Sequence, residues 1–295
     1  MGTIYYFAEC FTNLAMYHKA WSQIQSALLE QNEVFELIPN ANDIWARDFM
    51  PFQRHDGEFV IYQYNPDYLQ DRRTRYITNC REAFMAIGGR AALSSQVCHH
   101  TNLVIDGGNI IKCIDKHCTQ CVIMTTKVLF ENPYFSHYSI IKELSELFDA
   151  EIIFIPWDMA EEFGHADGMI RFIEKGRLLM NCYSDMAPEL GAILRKSLAN
   201  RFEIHELRYG SKFRENSWCH LNYLELSESV LVPTASLASD KPALKQIEDY
   251  LGKKSIPISM ASVVANSGAM HCISWSMNTD IFDNYNIEYT KLCIR

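Results

Sequence analysis

Basic residues are scarce in this 295-residue sequence: 27 Lys and Arg stand against 36 Asp and Glu, which gives a formal charge of −9. Nucleic-acid binding usually requires a basic excess, so the deficit argues against a nucleic-acid partner. An acidic balance permits a small cationic ligand but does not by itself establish one.

Long apolar runs and linkers are missing as well. No stretch approaches the ~18 apolar residues that a membrane span needs, and residues 1–10 lack the pattern of a signal peptide. No Pro- or Ser-rich linker and no fixed-period repeat interrupts the chain. We therefore predict a single domain over residues 1–295, a cytoplasmic location and no membrane contact; homo-oligomer formation is left open.

Cysteine is abundant by contrast, with ten in the chain. Without an export signal these thiols are expected to be reduced and to serve packing, metal binding or catalysis. Cys113, Cys118 and Cys121 form C-x4-C-x2-C around His117, and such soft ligands suit zinc. Since no second pair stands at zinc-ribbon spacing, the alternative is a polar hairpin tip flanked by packed cysteines. A zinc-binding interaction protein remains a hypothesis of another class.

Strand-like and helix-like segments alternate along the chain. The β-prone segments are residues 3–7, 34–38, 59–64, 103–105, 151–155, 169–173 and 178–181, the last two forming a hairpin around Gly176. Helices are predicted at residues 11–32, 139–149, 188–200 and 242–251, the last with Ser239 or Asp240 as cap and Gly252 as stop. This alternation indicates an α/β protein with mixed sheets.

Two stretches in the first half combine polar residues with aromatic residues or glycine. Residues 43–51 are DIWARDFMP, in which Trp45 and Asp48 together suit a flat cation. The alternative is a surface pair of Asp48 with Arg47, with Trp45 in the core. Residues 104–109 are VIDGGN, whose glycines permit close backbone approach and positive φ, or form a simple turn.

Two stretches in the second half carry a histidine and a cysteine. Residues 163–172 are FGHADGMIRF, and an extended segment would place His165 and Asp167 on one face as an acid/base pair. The acid-rich residues 142–167 leading to it are expected to form a solvated face. Residues 267–274 are SGAMHCIS, with Cys272 as a candidate nucleophile. The alternatives are a structural histidine and an inert buried cysteine.

The order of these four stretches is more specific than any one of them. W-x-R-D, D-G-G-N, G-H-x-D-x-x-x-R-F and G-x-x-H-C follow one another between residues 43 and 275. This order resembles the agmatine deiminase and Porphyromonas-type peptidylarginine deiminase family of the guanidino-group-modifying superfamily. Smaller similarities are NPDYL at residues 65–69, FENP at residues 130–133 and Asn222 within LNY.

The resemblance implies a five-bladed α/β propeller, the pentein fold, built from five ββαβ units around a pseudo-fivefold axis. The site would lie in the central channel and use no cofactor and no metal. By motif match, the implied catalytic residues are Cys272 as nucleophile, His165 as general acid/base, Asp48 and Asp167 as the carboxylates that grip a guanidinium, and Asp106 as the residue that orients His165. Family members commonly have Glu at the position of Asp106.

Trp45, Asn222 and Asn109 are implied as substrate-binding residues. The implied reaction converts agmatine, a small cationic guanidino substrate, to N-carbamoylputrescine with release of ammonia, through a thiouronium on Cys272. Alternatives within the fold are a peptidyl- or free-arginine deiminase and an amidinotransferase. A Cys–His peptidase would leave the paired carboxylates of Asp48 and Asp167 unexplained.

Overall fold

The structure is a computed structural model, and it describes residues 2–89 and 97–280. Its strands form five sheets of three strands each. In every sheet the middle strand pairs antiparallel with one edge strand and parallel with the other. Parallel neighbours need a crossover connection, and helices lie in all five crossovers, so the unit is ββαβ. The predicted α/β class with mixed sheets is confirmed.

Four sheets are built from strands that follow one another in the chain. They are β3 (Phe52–Gln53), β4 (Phe59–Gln63) and β5 (Cys98–Val104); β6 (Ile111–Ile114), β7 (Gln120–Thr125) and β8 (Glu151–Ile155); β9 (Ile170–Glu174), β10 (Arg177–Met180) and β11 (Glu203–Glu206); and β12 (Leu224–Glu225), β13 (Ser229–Thr234) and β14 (Lys254–Ser259).

The remaining sheet joins the two ends of the described chain. β1 (Thr3–Ala8) lies between β2 (Val34–Ile38) and β15 (Ser274–Asn278). Trp275 of β15 packs against Tyr6, with ring centroids 5.3 Å apart, and also contacts the rings of Phe59 and Phe84. Buried aromatic contacts of this kind stabilise beyond their apolar area, so the last strand is held by both the first and the second sheet.

Helices fill the crossovers between the middle and third strands. They are Glu9–Asn13, the 3₁₀ turn Ala15–Tyr17 and His18–Glu30; the 3₁₀ turns Asp67–Leu69 and Asp71–Tyr76, Cys80–Phe84 and the π-turn Met85–Gly89; Lys127–Glu131 and His137–Phe148; Tyr183–Met186 and Pro188–Leu198; and Asp240–Leu251. Short helical turns lie in the connections between sheets: Ala46–Phe49, Gly107–Asn109, Ala166–Gly168, Gly210–Lys212, Glu215–Leu221 and Ala261–Val264.

The helix His137–Phe148 illustrates why these segments are helical. The Ser136 side chain accepts a hydrogen bond from the amide of Ser139 and caps its start. Ile140, Leu144, Leu147 and Phe148 are buried at helical spacing and face the core. The helix begins two residues earlier than predicted and ends at Asp149, which adopts a left-handed φ of 47°.

Most of these local secondary-structure predictions are confirmed, and one is wrong. Strands at residues 34–38 and 151–155, the hairpin with Gly176 at φ 72° and the stop at Gly252 with φ 65° are confirmed. The single helix over residues 11–32 is wrong, because Leu14 is extended at φ −81° and ψ 117° and separates Glu9–Asn13 from the 3₁₀ turn Ala15–Tyr17, which leads directly into His18–Glu30. Of the helices described, none is both long and apolar enough to cross a membrane.

Candidate active site

The predicted site residues lie in the connections between successive sheets. Asp48 follows β2, Asp106 follows β5, Asp167 follows β8, Asn222 follows β11 and Cys272 follows β14. Each therefore occupies an equivalent place in the repeating unit, just before the first strand of the next sheet. The repeated topology, rather than proximity in the sequence, brings these side chains together.

Backbone hydrogen bonds join the connections to one another. The amide of Gly108 donates to Asp48 Oδ1 at 3.0 Å, and the amide of Arg47 donates to the carbonyl of Cys272 at 3.0 Å. The first connection is thus tied to both the second and the fifth. This fixes the relative positions of residues more than 200 apart in sequence.

A narrow cavity of about 40 Å³, here called the front cavity, opens between these connections. Its wall is formed by Trp45, Asp48, Tyr68, Glu161, Phe163, His165, Asp167, Gly168, Trp218, Asn222, Asn266, Ser267, Gly268 and Cys272. Six of the eight predicted site residues belong to this wall. It contains three carboxylates and, among its described residues, no Lys or Arg. Exposed Asn266 and Ser267 form the rim.

His165 lies between two carboxylates. Its Nε2 is 2.8 Å from Asp106 Oδ2, which also accepts a hydrogen bond from the Tyr68 hydroxyl at 3.1 Å, and its Nδ1 is 3.6 Å from Asp48 Oδ1. Burial alone would lower the pKa of His165, but Asp48 and Asp106 outweigh burial and raise this pKa to about 10. The ring is therefore an imidazolium at neutral pH, which is the form of a general acid.

The Cys272 thiol lies beside Asp167, with Sγ 3.8 Å from Oδ2. Burial and the charges of Asp167 and Asp48 raise the pKa of Cys272 well above its usual value. The amides of His271 and Cys272 donate to Asn222 Oδ1 at 2.9 and 3.2 Å, which fixes the backbone that carries the sulfur. In the empty site the sulfur is a thiol, and a bound cation would favour the thiolate.

The two predicted guanidinium-binding carboxylates differ in their protonation. Burial raises the pKa of Asp48 to about 7. Burial acts in the same direction on Asp167, but a hydrogen bond from His271 Nδ1 at 2.6 Å outweighs it and lowers the pKa of Asp167. The Asn222 side-chain amide lies 3.4 Å from the same oxygen. Asp167 is thus ionised before any ligand arrives, whereas Asp48 ionises close to neutral pH.

The glycines of D-G-G-N are needed for close approach. A Cβ on Gly107 would lie 2.0 Å from the carbonyl oxygen of Arg47, and a Cβ on Gly108 would lie 2.6 Å from Asp48 Oδ1 and 2.8 Å from His165 Nδ1. Neither glycine has positive φ, so that part of the expectation is wrong. The absent side chains leave room for Asp48 and His165 to meet.

Residues 7–277 match the sequence model of the Porphyromonas-type peptidyl-arginine deiminase family. The chain belongs to this family. By family it is a guanidino-group hydrolase that acts on C–N bonds. Comparison with curated protein sequences gives no match.

Solved structures share the fold of this deiminase family member. Agmatine deiminase of Enterococcus faecalis superposes with a TM-score of 0.67 at 16% identity, covering 94% of this chain and 93% of that chain. C. jejuni agmatine deiminase gives 0.68 at 14%, covering 99% and 94%. DDAH from Pseudomonas aeruginosa, complexed with citrulline, gives 0.59 at 14%, covering 94% and 100%. At these identities the likeness concerns the fold.

One prediction about this family member is wrong, and another stays a prediction. Asn109, predicted to bind substrate, lies outside the front cavity wall, and its Oδ1 accepts a hydrogen bond from the amide of Thr125 at 2.8 Å. This bond links the second connection to β7. His165 and Asp167 are not on an extended segment, because Ala166–Gly168 forms a 3₁₀ turn. Both side chains nevertheless belong to the front cavity wall.

Several side chains in or beside the front cavity were not predicted from the sequence. Glu161 is part of the acidic run that was expected to be a solvated face, yet it belongs to the cavity wall. Tyr68 bonds Asp106, and His271 bonds Asp167. Tyr68 lies in the NPDYL stretch and His271 directly precedes Cys272. Their position in these motifs is the pattern from which they could have been predicted. Trp218 stands in no motif and gave no signal.

The cysteine cluster of the deiminase lies apart from the front cavity. Cys113 and Cys121 are direct neighbours across β6 and β7, and exposed Cys118 accepts a hydrogen bond from Lys175 Nζ at 2.7 Å. Within residues 2–89 and 97–280, no group of three or more His, Cys, Asp or Glu is arranged to hold a metal ion. The predicted hairpin tip is thus confirmed, and the zinc hypothesis has no support in the described part.

Proposed function

We propose that this protein is an agmatine deiminase-like hydrolase that converts agmatine to N-carbamoylputrescine and releases ammonia. The observation that carries the proposal is the front cavity wall, where Asp48, Glu161 and Asp167 stand beside Cys272 with no Lys or Arg among the described lining residues. Complementary charge directs which ligand a buried site accepts. Agmatine carries a guanidinium and an ammonium, so it offers two positive charges to these acids.

The same wall favours agmatine over free or peptidyl arginine. The carboxylate of free arginine would enter a wall that holds three acids and no basic partner, which selects against it by repulsion. Trp45, Phe163 and Trp218 offer apolar and π surface for a methylene chain and a cation. Burial and the nearby charge of Asp158 raise the pKa of Glu161 to about 7, so an ammonium beside Glu161 would ionise it.

Substrate binding prepares the nucleophile in this proposal. Asp48 and Asp167 accept hydrogen bonds from the guanidinium N–H groups and fix its plane against Cys272. The cation offsets the two carboxylates that raise the pKa of the thiol, so the thiol transfers its proton to solvent water and becomes a thiolate.

Two half-reactions then share one acid/base. The Cys272 thiolate attacks the guanidinium carbon, a C–S bond forms, and the His165 imidazolium gives its proton to the departing nitrogen. The C–N bond breaks, ammonia leaves and a thiouronium remains on the sulfur. Neutral His165 next takes a proton from water, the water oxygen attacks the same carbon, and the C–S bond breaks. The protonated ureido compound releases its remaining proton to solvent water, and the thiolate of Cys272 and the imidazolium of His165 are regenerated.

The architecture behind this chemistry is also a proposal. We propose that the five sheets close into a five-bladed propeller and that residues 1–295 form one domain, of which residues 1, 90–96 and 281–295 lie outside the described part. The pairing of β1 with β15 and the hydrogen bond from Arg47 to Cys272 support closure. A cytoplasmic location is proposed because the nucleophile must remain reduced.

A substrate panel tests the proposed function. Purified protein is given agmatine, free arginine and a peptidyl arginine, and both ammonia and ureido product are measured. We expect turnover of agmatine above the other two, loss of turnover in Cys272→Ala, and unchanged turnover in Cys118→Ser, an exposed cysteine outside the front cavity. Full turnover in Cys272→Ala would refute the mechanism.

The panel also separates the alternatives within the fold. Preference for free or peptidyl arginine would reject agmatine while keeping the deiminase chemistry. An amidinotransferase would release ammonia from none of the three substrates in the absence of an acceptor amine. Ammonia and ureido product in equal amounts, without an acceptor, support hydrolysis.

A further inference from the structure

A second cavity, here called the rear cavity, shares no lining residue with the front cavity. It has a volume of about 320 Å³. Consecutive residues of the same connections face the two cavities: Arg47 lines the rear and Asp48 the front, and His271 lines the rear and Cys272 the front. The rear cavity is therefore separate from the proposed substrate site, although the same loops form both walls.

The charged side chains that line the rear cavity are all basic. Arg47, Lys112 and Arg171 line it together with His271, and its described wall contains no Asp or Glu. Lys112 is exposed at the rim, where its Nζ donates to the carbonyls of Gln53 and Arg54 at 3.0 and 3.2 Å. Such a concentration of positive charge is unusual in a chain whose formal charge is −9.

The two guanidinium groups lack anionic partners. In residues 2–89 and 97–280, neither Arg47 nor Arg171 forms an ion pair, and Arg47 Nε and Arg171 Nη1 are buried without a hydrogen-bond acceptor. Arg171 stacks on the ring of Tyr223 at 4.6 Å. Burial and the neighbouring Arg171 lower the pKa of Arg47 to about 10, and the charges of Asp167 and Asp48 offset this only in part.

Buried donors without an acceptor are costly, because the desolvation penalty is not repaid by a bond. An anion beside the two guanidinium groups, which both line the rear cavity, would compensate their charge. Guanidinium groups present planar donor forks that match the oxygen atoms of carboxylates and phosphates. We propose that the rear cavity is a binding site for a small oxyanion, held by Arg47 and Arg171 with Lys112 at its entrance. This proposal does not depend on the reaction in the front cavity.

Titration calorimetry on the purified protein tests the proposal directly. Inorganic phosphate and acetate are titrated separately at constant ionic strength, with sodium chloride alone as the reference. We expect saturable binding of at least one oxyanion at one site per chain, and the better ligand tells whether phosphate or carboxylate chemistry is preferred. Saturating agmatine should not displace the bound oxyanion, since the two cavities share no lining residue.

Variants locate the site. Arg171→Gln should weaken the oxyanion about tenfold or more, because it removes a charge-assisted donor. Arg208→Gln removes an exposed guanidinium outside both cavities and should have no effect. Lys112→Gln at the rim gives a second reading if Arg171→Gln fails to fold. Absence of saturable binding, competition by agmatine, or an affinity unchanged in both cavity variants would overturn the proposal.

Discussion

The front and rear cavities carry opposite charge, although the first and fifth connections contribute to both walls. The front cavity is narrow and lined by Asp48, Glu161 and Asp167, whereas the larger rear cavity is lined by Arg47, Lys112 and Arg171. Adjacent residues are divided between them, so the Arg-Asp dipeptide of W-x-R-D is not an ion pair. The cavity that a side chain faces, rather than the residue next to it in the sequence, therefore decides its electrostatic role.

Burial has the corresponding effect in each cavity. It raises the pKa of Asp48 to about 7 in the front and lowers the pKa of Arg47 to about 10 in the rear. In both places burial disfavours the charged form, and a ligand of opposite charge restores it. The front cavity is therefore suited to a cation and the rear cavity to an anion.

The largest effect that would sharpen this comparison is expected from Asp167→Asn. It removes the front carboxylate that binds His271 and lies beside Cys272. Removing one partner of a buried hydrogen-bonded charge pair, here the proposed pair of Asp167 with the substrate guanidinium, costs roughly 2–5 kcal/mol, so kcat/KM for agmatine should fall ~30- to ~5000-fold. The matched control is Asp240→Asn, which breaks another His–Asp contact, His220 to Asp240 at 2.9 Å, outside both cavities. A similar loss in the control would mean that stability, not the front cavity, is responsible.

A smaller effect is expected from Asp106→Asn, measured as a pH profile. In the wild type, kcat/KM should rise as Asp48 ionises near pH 7 and fall as the imidazolium of His165 loses its proton near pH 10. Asp106 helps to raise the pKa of His165, so its neutral replacement should move the alkaline limb to lower pH. A rate loss with an unmoved alkaline limb would show that Asp106 does not tune His165.

The smallest of these effects is expected from Glu161→Gln. The change removes one front carboxylate without touching Cys272 or His165, so KM for agmatine should rise about tenfold with little change in kcat. The preference for agmatine over arginine should fall in parallel. Glu162→Gln alters the exposed neighbour, which pairs with Arg73, and should leave both constants unchanged. If KM for agmatine stays the same in Glu161→Gln, the terminal amine is bound elsewhere.

Much of the site could be predicted from the sequence because its chemistry is concentrated in short motifs. Trp45, Asp48, His165, Asp167 and Cys272 all belong to the front cavity wall. Glu161 could not be found in this way, since an acidic residue in an acidic run looks the same whether it faces solvent or a cavity. The rear cavity could not be predicted either, because Arg47 lies in a helical turn between sheets, whereas Lys112 and Arg171 lie in strands of two different sheets.

The fold was predictable in class but not in detail. Apolar periodicity predicted most strands and helices. It could not predict that Leu14 takes an extended conformation and divides the first helix. Nor could it predict that Asn109 accepts a hydrogen bond from the backbone of Thr125. Both outcomes depend on tertiary contacts that local patterns do not contain.

The central claim is that Cys272 attacks a guanidinium held between the front carboxylates, and intact-mass spectrometry of acid-quenched enzyme tests it most directly. During turnover of agmatine, we expect a protein species heavier by the mass of agmatine less ammonia, located by digestion on the peptide that contains Cys272. The species should be absent in Cys272→Ala and should persist in Cys118→Ser. Steady turnover with no adduct on that peptide, and with activity retained in Cys272→Ala, would contradict the account.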